Sequence, residues 1–183
     1  MSRNPIYMSD KIYDQISVRI RETYPNACIL FIDEVFNETL EIAYNERKNK
    51  ITEQKGGIPP EEILLFHGTH ANIIDKIVCE GFDPRKNVAA AYGPGTYFAK
   101  AAAYSFNYMK SPDSKGISYM FLSNVLIGKK IQYIFSKKGI SNANAGAIHN
   151  YVDNVENPSI VVTPYPDGAY PKYIIAFHKN ARN

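Results

Sequence analysis

Cysteine is scarce in this sequence, which has only Cys28 and Cys79 among 183 residues. Both lie in apolar stretches, so we expect reduced, buried thiols rather than a disulfide framework. The N-terminal stretch MSRNPIYMSDKIYDQ lacks the apolar segment of a secretory signal, and no apolar run is long enough to span a membrane. These absences favour an intracellular protein, cytoplasmic or nuclear, that does not bind a membrane.

Excess charge is also small, with a formal net charge of +3. A weak excess of this kind predicts no strong nucleic-acid footprint, although it does not exclude one. The basic run at 47–50 is more typical of the solvated end of a helix. Hydrophobic residues make up 45% and charged residues 21%, as in ordinary globular proteins. The length suits one domain with a substantial core.

Helical signals fall mainly in the first half of the chain. A helix is predicted over 9–24, capped by Ser9 or Asp10, and a second over 38–54, capped by Asn37. A third is predicted from residue 70 to the stop at Gly81, with its apolar stripe on Ile73, Ile74, Ile77 and Val78. The first helix has a partial apolar face formed by Ile12, Ile16, Val18 and Ile20. A further helical segment is predicted from Ala99.

Strand signals dominate the second half, where β-branched and aromatic residues cluster between polar loops. The predicted strands cover 27–36, 61–69, 117–129, 131–136, 159–165 and 170–179. This distribution predicts an α+β fold, with antiparallel, sandwich-like sheets and helices packed on them.

Two segments have the residue types of a binding site. In LFHGT, His67 ends an apolar strand beside Gly68, where a backbone without a Cβ permits close approach. In AYGPGTYFAKAAAYSFNY, Gly93 and Gly95 form a turn before Tyr97, and Ser105 and Tyr108 share one helix face. A hydroxyl beside an aromatic ring suits a flat ligand with polar edges. Taken singly, His67 is better explained by a structural role and the other residues by core packing, which we also expect for Tyr104.

Other motifs are weak or missing. The Gly-x-Gly turn lacks the strand and helix of a dinucleotide-binding fold, and no Walker-type phosphate loop occurs. Asp153 and Glu156 could form an acid–base pair, but their loop setting favours simple solvation. The remaining histidines show no metal-ligand spacing, so no metal is expected and no role is assigned to His70, His149 and His178.

Taken in order, the segments LFHGT, AYGPGTYFA, YSFNY, VDNVENPSI and YPKYII resemble the catalytic domain of the poly(ADP-ribose) polymerase family, the diphtheria-toxin-like ADP-ribosyltransferases. The likeness is greatest to the branch that transfers single ADP-ribose units. It is strong over 63–177 and extends back to the predicted strand and helix near residue 29. It implies the ADP-ribosyltransferase fold, with two packed, mostly antiparallel sheets and flanking helices. Residues 1–183 would then form one catalytic domain without a helical regulatory domain.

The resemblance also implies a role for each matching position. His67 would hydrogen-bond the adenosine-side ribose of NAD, and the Gly68 backbone would clamp the nicotinamide amide. Tyr97 would line the nicotinamide pocket, Ser105 would bond the nicotinamide carbonyl, and Tyr108 would stack on its ring. The NAD-binding set implied in this way is His67, Gly68, Thr69, Tyr97, Ala99, Ser105 and Tyr108.

The third catalytic position departs from the family pattern. His67 and Tyr97 match the first two members of a His-Tyr-Glu triad, whereas the glutamate position falls on Ile160. Isoleucine accepts no proton, so single transfer of ADP-ribose from NAD to a protein, with nicotinamide release, is expected rather than polymer growth. The alternatives are an NAD-binding or ADP-ribose-binding pseudoenzyme and transfer to nucleic-acid ends. Arg85 lies in a donor loop that is short for the family and is a candidate phosphate contact.

Overall fold

The structure is a computed structural model that describes residues 1–86, 91–109, 112–132 and 148–178. Within these ranges, most helices lie in the first part of the chain and strands dominate the second. The strands in these ranges are β1 (Ser2–Ile6), β2 (Ile29–Phe36), β3 (Glu61–Gly68), β4 (Thr96–Ala99), β5 (Ile117–Ile127), β6 (Lys130–Gln132), β7 (Asn150–Val152), β8 (Ile160–Thr163) and β9 (Ala169–His178). The helices are α1 (Lys11–Arg21), α2 (Glu38–Gln54), α3 (Ile74–Glu80) and α4 (Ala102–Phe106), with 3-10 turns at Ala71–Ile73 and Pro84–Lys86. The predicted α+β class is confirmed.

The strands form one hydrogen-bonded sheet in the order β1-β2-β9-β5-β3-β4-β8-β7-β6. Neighbours pair antiparallel, except that β6 and β7 run parallel. The two packed sheets that the resemblance implies are continuous with each other here, because the end of β3 pairs with the end of β4 through Phe66 and Ala99. This one junction joins a five-stranded half to a four-stranded half.

Strand β3 packs against apolar side chains on both of its faces. Leu65 and Phe66 are both fully buried, and successive residues of a strand point to opposite faces. Leu65 packs in a cluster with Ile77 and Phe98, whereas Phe66 packs in a second cluster with Ala102. Each buried side chain of this size contributes about 1.5–3 kcal/mol. The two clusters hold α3 against one face of β3 and α4 against the other.

The helices begin and end close to their predicted bounds. The Asn37 side chain accepts a hydrogen bond from the Leu40 N–H, as expected of the residue that caps α2. Asp10 precedes α1, but its carboxylate accepts from the Tyr7 N–H instead of capping the helix. Val18 does not join the apolar face of α1, since it is 60% exposed while Ile16 and Ile20 are buried.

Two further helix predictions change. The single helix expected from residue 70 is a 3-10 turn followed by α3, and it ends at Gly81, whose φ of 80° favours glycine. Its predicted stripe is incomplete, because Ile73 is 36% exposed. Ala99 ends β4 rather than opening a helix, and α4 begins at Ala102.

Both cysteines are free and exposed, which contradicts the expectation of buried thiols. Their apolar neighbours pack inward, since Ala27 and Ile29 flank Cys28 and are buried. The strand predicted at 131–136 begins as β6, and its remaining positions, 133–136, lie outside the described residues. The strand predicted at 170–179 is β9, and residue 179 also lies outside the described residues. No helix within the described ranges is long and apolar enough to cross a membrane.

Candidate active site

A cavity of about 720 Å³ opens where β3 ends, between β4, α3 and α4. Every residue of the predicted NAD-binding set lines it, although these residues come from three separate elements and the turns that follow them. The residues that line it are His67, Gly68, Thr69, His70, Ile73, Lys76, Ile77, Gly81, Phe82, Asp83, Lys86, Ala91, Thr96, Tyr97, Phe98, Ala99, Tyr104, Ser105 and Tyr108.

The His67 imidazole is held in one tautomer. Its Nδ1 lies 2.8 Å from the Tyr97 carbonyl oxygen, and a carbonyl only accepts, so Nδ1 donates the hydrogen. Burial lowers the pKa of His67 below its ordinary value, which favours the neutral ring, although the hydrogen bond to Tyr97 opposes this. A neutral ring with its proton on Nδ1 has a lone pair on Nε2. His67 can therefore accept a hydrogen bond from a ligand hydroxyl.

Aromatic rings fix the plane of this imidazole. The centroid of Phe82 lies 5.1 Å away in an edge-on arrangement, and that of Phe98 lies 5.5 Å away. Phe82 and Phe98 are themselves in edge contact, 5.1 Å apart, and both are buried. Because edge-on aromatic contacts are directional, they resist rotation of the His67 ring.

Gly68 is the point at which α4 meets the strand. A Cβ on Gly68 would lie 1.8 Å from the Ser105 carbonyl oxygen and 3.2 Å from the Tyr108 Cβ. No larger residue fits there unless α4 moves away. Glycine at this position thus brings Ser105 and Tyr108 directly beside the end of β3.

Three side chains from the α4 region face the cavity. The Ser105 side chain is buried, 3% exposed, and within the described part of the chain its hydroxyl has no hydrogen-bond partner. Tyr108 is 48% exposed and donates its hydroxyl hydrogen to the Tyr104 hydroxyl at 3.2 Å, with the ring centroids 5.4 Å apart. Tyr104 is therefore a cavity residue as well as a packing residue, which corrects the expectation of packing alone.

Tyr97 closes the Gly-Pro-Gly turn onto β4. Its hydroxyl accepts from the Tyr92 N–H at 2.9 Å and donates to the Gly93 carbonyl at 2.7 Å. The turn packs so closely against β8 that a Cβ on Gly95, whose φ is 148°, would lie 2.5 Å from the Thr163 carbonyl oxygen. The Tyr97 ring lines the cavity, as predicted, while its hydroxyl holds the turn.

Ile160 is placed behind the cavity rather than in its lining. It pairs with Ala99 across β4 and β8, is 4% exposed, and packs with Ala99 and Val162. The rings of Tyr92, Tyr97, Tyr104 and Tyr151 pack against this cluster. No carboxylate stands where the family's glutamate would be.

Asp153 has a structural role that explains the loop before Ile160. Its Oδ1 accepts backbone N–H groups from Asn154 at 3.0 Å, Ser159 at 2.9 Å and Ile160 at 3.0 Å. A carboxylate oxygen engaged in this way orders the loop and is not placed to act as a base. Glu156 is exposed in the same loop, so the structure brings neither residue into the cavity.

Sequence reasoning missed the cationic side chains of the cavity lining. Lys76 on α3 and Lys86 in the 3-10 turn at Pro84–Lys86 both belong to it, as does His70. Arg85, the predicted phosphate contact, instead binds the Asp83 carboxylate through Nε at 2.8 Å and a second guanidinium nitrogen at 3.1 Å. The rest of the loop at 87–90 lies outside the described residues. The helical spacing of Lys76 from Ile73, three positions earlier, was the available signal.

The remaining histidines lie away from the site. His149 is buried, with both ring nitrogens hydrogen-bonded, and His178 is exposed at the end of β9. Within the described residues, no group of three or more histidine, cysteine or acidic side chains could hold a metal ion.

Comparison with known proteins agrees with this geometry. The family model for the poly(ADP-ribose) polymerase catalytic domain matches residues 11–171. The chain is 33% identical over 182 residues to the protein mono-ADP-ribosyltransferase PARP12 of Homo sapiens, covering 95% of this chain and 25% of that protein. It is 34% identical over 179 residues to the human protein mono-ADP-ribosyltransferase PARP14, covering 93% of this chain and 10% of that protein. The chain thus spans a quarter or less of the length of these two relatives.

Proposed function

Since this chain belongs to the poly(ADP-ribose) polymerase catalytic-domain family, we propose that it transfers single ADP-ribose units from NAD to protein acceptors, itself among them, and releases nicotinamide. One observation carries the proposal: the residues that match the family's NAD-binding motif line a single cavity. NAD acts here as co-substrate, and residues 1–183 act as one catalytic domain. The free, exposed Cys28 and Cys79 support a reducing, intracellular location.

The α4 end of the cavity suits the nicotinamide group of NAD. The Ser105 hydroxyl can donate to the amide carbonyl, and the backbone of Gly68 lies beside it because α4 packs directly on that glycine. The exposed face of Tyr108 offers a stacking surface for the ring. Together they would fix both the edge and the face of the leaving group before the bond breaks.

His67 suits a ribose hydroxyl. Its neutral ring presents Nε2 as an acceptor, whereas a charged ring would present only donors. The hydrogen bond to the Tyr97 carbonyl and the contacts with Phe82 and Phe98 hold the ring in place. His67 is thus proposed to bind and orient the donor rather than to move a proton.

The reaction breaks the bond between the ribose anomeric carbon and the nicotinamide nitrogen. The electron pair leaves with nicotinamide, and an acceptor atom forms the new bond to the sugar through an oxocarbenium-like transition state. Ile160 cannot take the acceptor's proton, and Asp153 is committed to backbone N–H groups. A nucleophile that is already ionised, such as a carboxylate, therefore suits the site. A ribose hydroxyl would lose about 10²–10⁴ in rate without a base, which favours single transfer.

The absent carboxylate also supports a second reading, an NAD-binding or ADP-ribose-binding protein without turnover. Labelled NAD separates the two: the purified chain is incubated with it, with and without a cell lysate or a phosphorylated oligonucleotide, and the products are resolved on a gel. Discrete labelled protein bands support single transfer, and a high ladder contradicts it. Binding of NAD without label transfer favours the second reading, and a labelled oligonucleotide redirects the proposal to nucleic-acid ends.

Tyr104→Phe and Tyr97→Ala sharpen the same assay. Tyr97→Ala removes a ring from the cavity wall and the hydroxyl that holds the turn, so label transfer should be lost. Tyr104→Phe keeps the ring and removes only the hydroxyl that accepts from Tyr108, so transfer should persist. Transfer that survives Tyr97→Ala would place the active site elsewhere.

A further inference from the structure

The C-terminal half of α1 contacts β3 just before its last two residues. The Arg19 guanidinium donates a hydrogen bond to the Leu64 carbonyl oxygen, and its central carbon lies 5.1 Å from the centroid of the Phe66 ring. Phe66 is also the residue through which β3 pairs with β4, and His67 follows it directly. Arg19 thus holds β3, by a backbone group and by a side chain, immediately before the residues that line the cavity.

The segment that follows α1 contacts α4. The Ala103 N–H donates to the Thr23 hydroxyl oxygen at 3.4 Å, and the Tyr24 and Phe106 rings lie with their centroids 4.3 Å apart. Ala101 precedes α4 and has no side chain that could accept from this N–H, so the acceptor comes from a residue 80 positions earlier in the chain. Contacts from the end of α1 therefore reach both the first turn of α4 and its last residue.

These contacts lie outside the cavity but hold the two elements that meet in it. Arg19, Thr23 and Tyr24 are not among the described residues that line the cavity. Within it, α4 packs so closely on Gly68 that a Cβ there would lie 1.8 Å from the Ser105 carbonyl oxygen. Since Gly68 has no side chain to keep α4 in register, the position of α4 depends on the other groups that hold it.

We propose that Arg19, Thr23 and Tyr24 form a clamp, the α1 clamp, that positions α4 against the end of β3 and thereby sets the affinity of the cavity for nicotinamide. The inference rests on the proposed NAD-dependent function, in which Ser105 and Tyr108 hold the nicotinamide group. A hydrogen bond and a stacking contact to one small ring form together only when both groups keep their relative position. The three residues of the α1 clamp are positioning residues, since they act through α4 and β3.

Variants of Tyr24 test the side of the clamp that holds α4. Tyr24→Ala removes the ring that packs on Phe106, so nicotinamide should bind about fivefold to tenfold more weakly. Adenosine, whose ribose His67 would bind on β3, should bind unchanged. Tyr24→Phe keeps the ring and should retain the nicotinamide affinity of the unchanged protein. Isothermal titration calorimetry with each of the two fragments measures these affinities.

Variants of Thr23 and Arg19 test the other two contacts. Thr23→Val removes the acceptor of the Ala103 N–H, and because that bond is long the loss of nicotinamide affinity should be about twofold, while Thr23→Ser should show none. Arg19→Met removes the hydrogen bond to Leu64, which holds the strand of His67 and Gly68. Nicotinamide and adenosine should then both bind about fivefold more weakly, and Arg19→Lys, which retains a donor, should restore part of the loss.

Ile51→Val is the matched control for a general loss of stability. Ile51 is buried in a cluster of α2 with Tyr44, Leu126 and Tyr170, away from α4 and the end of β3. The change should lower the midpoint of urea unfolding and leave the affinities for nicotinamide and adenosine as they are.

The outcomes separate this inference from the proposed function. If NAD, nicotinamide and adenosine do not bind the unchanged protein, the proposed function fails. If they bind and Tyr24→Ala keeps full nicotinamide affinity, the cavity binds the donor but the α1 clamp is overturned. Equal weakening of nicotinamide and adenosine in Tyr24→Ala, or the same weakening in Ile51→Val, would also overturn it, because the loss would then be one of overall stability.

Discussion

The Nδ1 atom of His67 donates a hydrogen bond to the carbonyl oxygen of Tyr97 at 2.8 Å. The bond runs from the end of β3 to β4, next to the Phe66–Ala99 pairing that joins the two halves of the sheet. It couples two residues 30 positions apart in the chain and sets which imidazole nitrogen faces a ligand. The tautomer that the site needs is thus determined by the sheet rather than by the ligand.

Donor binding should accordingly resist mild acid. Burial lowers the pKa of His67 below the ordinary value of about 6.5, so the ring gains its proton at a lower pH than an ordinary histidine does. NAD affinity should be constant from about pH 8 to 6.5 and should fall only below that range. Isothermal titration calorimetry at a series of pH values measures this. A midpoint at or above 6.5 would contradict a neutral His67 as the acceptor.

His67→Ala provides the matching variant. It removes the acceptor, so NAD binding should weaken about tenfold and lose the acid-side dependence, because the titrating group is gone. An acid-side loss that persists in His67→Ala would assign the titration to another residue.

Tyr97→Phe should destabilise the Gly-Pro-Gly turn while keeping the aromatic ring in the cavity wall. The change removes a hydroxyl that accepts from the Tyr92 N–H and donates to the Gly93 carbonyl, and it keeps the ring. Loss of these two bonds should lower the free energy of unfolding by about 1–2 kcal/mol. Urea unfolding measures this, and NAD affinity should fall less than in Tyr97→Ala. Equal losses of affinity in both variants would show that the hydroxyl, not the ring, is the binding group.

Much of the scaffold is local enough to predict from sequence. Asn37 caps α2 through its own neighbour, the N–H of Leu40, and no distant residue is needed for that. The His67-Gly68 pair likewise ends a strand whose apolar pattern is complete within eight residues, Glu61–Gly68. Such features depend on short-range geometry, so their sequence patterns are reliable.

Other features depend on which elements meet. Arg85 has the charge of a phosphate contact, but its partner is decided by Asp83 two positions earlier, and Lys86 faces the cavity instead. Tyr104 was expected only to pack, yet the fold places its hydroxyl against that of Tyr108. Strand β1 has no clear pattern because its side chains are largely exposed and it forms through pairing with β2. The Arg85–Asp83 and Tyr104–Tyr108 contacts are short-range, but the choice of side chains that face the cavity and the pairing of β1 with β2 are tertiary outcomes.

Gly68→Ala should separate the helix from the strand. The added Cβ would lie 1.8 Å from the Ser105 carbonyl oxygen, so α4 must move, and Ser105 and Tyr108 move with it. We expect the free energy of unfolding to fall by about 1–3 kcal/mol and nicotinamide binding to be lost. Chemical denaturation and nicotinamide titration measure the two effects.

The control for this change is Gly56→Asn. A Cβ at Gly56 would meet nothing within 4 Å, and asparagine tolerates its φ of 69°. Nicotinamide binding should therefore be unchanged in the control. Full binding in Gly68→Ala would show that the close contact with α4 is not what positions Ser105.

Stability should fall in acid through His149. Its Nδ1 accepts from the Lys129 N–H and its Nε2 donates to the Gln54 side-chain oxygen, both at 2.8 Å, so the neutral ring is fully bonded. Burial lowers its pKa, and the neighbouring charges of Lys55, Arg47 and Lys129 lower it further. The unfolded chain therefore binds more protons at this site, and the stabilisation present above about pH 6.5 is lost as the pH falls below that value.

Urea unfolding at about pH 7.5 and 5.5 measures this loss. His149→Gln should lower stability at the higher pH and reduce the difference between the two, while the exposed His178, changed to Gln, should leave that difference unchanged. His67 has a lowered pKa for the same reason, so part of the difference should remain in His149→Gln. An undiminished difference would mean that His149 does not titrate in this range.

Ile160→Glu tests what the third catalytic position permits. Ile160 is 4% exposed and packs with Ala99 and Val162 inside a group of tyrosine rings, so a carboxylate there would be desolvated. Its pKa should rise, and the free energy of unfolding should fall by roughly 3 kcal/mol at neutral pH, while Ile160→Val should lose only about 0.5–1.5 kcal/mol. Labelling with NAD should still give discrete bands, because a carboxylate buried behind the cavity cannot reach an acceptor hydroxyl within it. A ladder of products from Ile160→Glu would show that this one side chain, and not the surrounding apolar packing, restricts the site to single transfer.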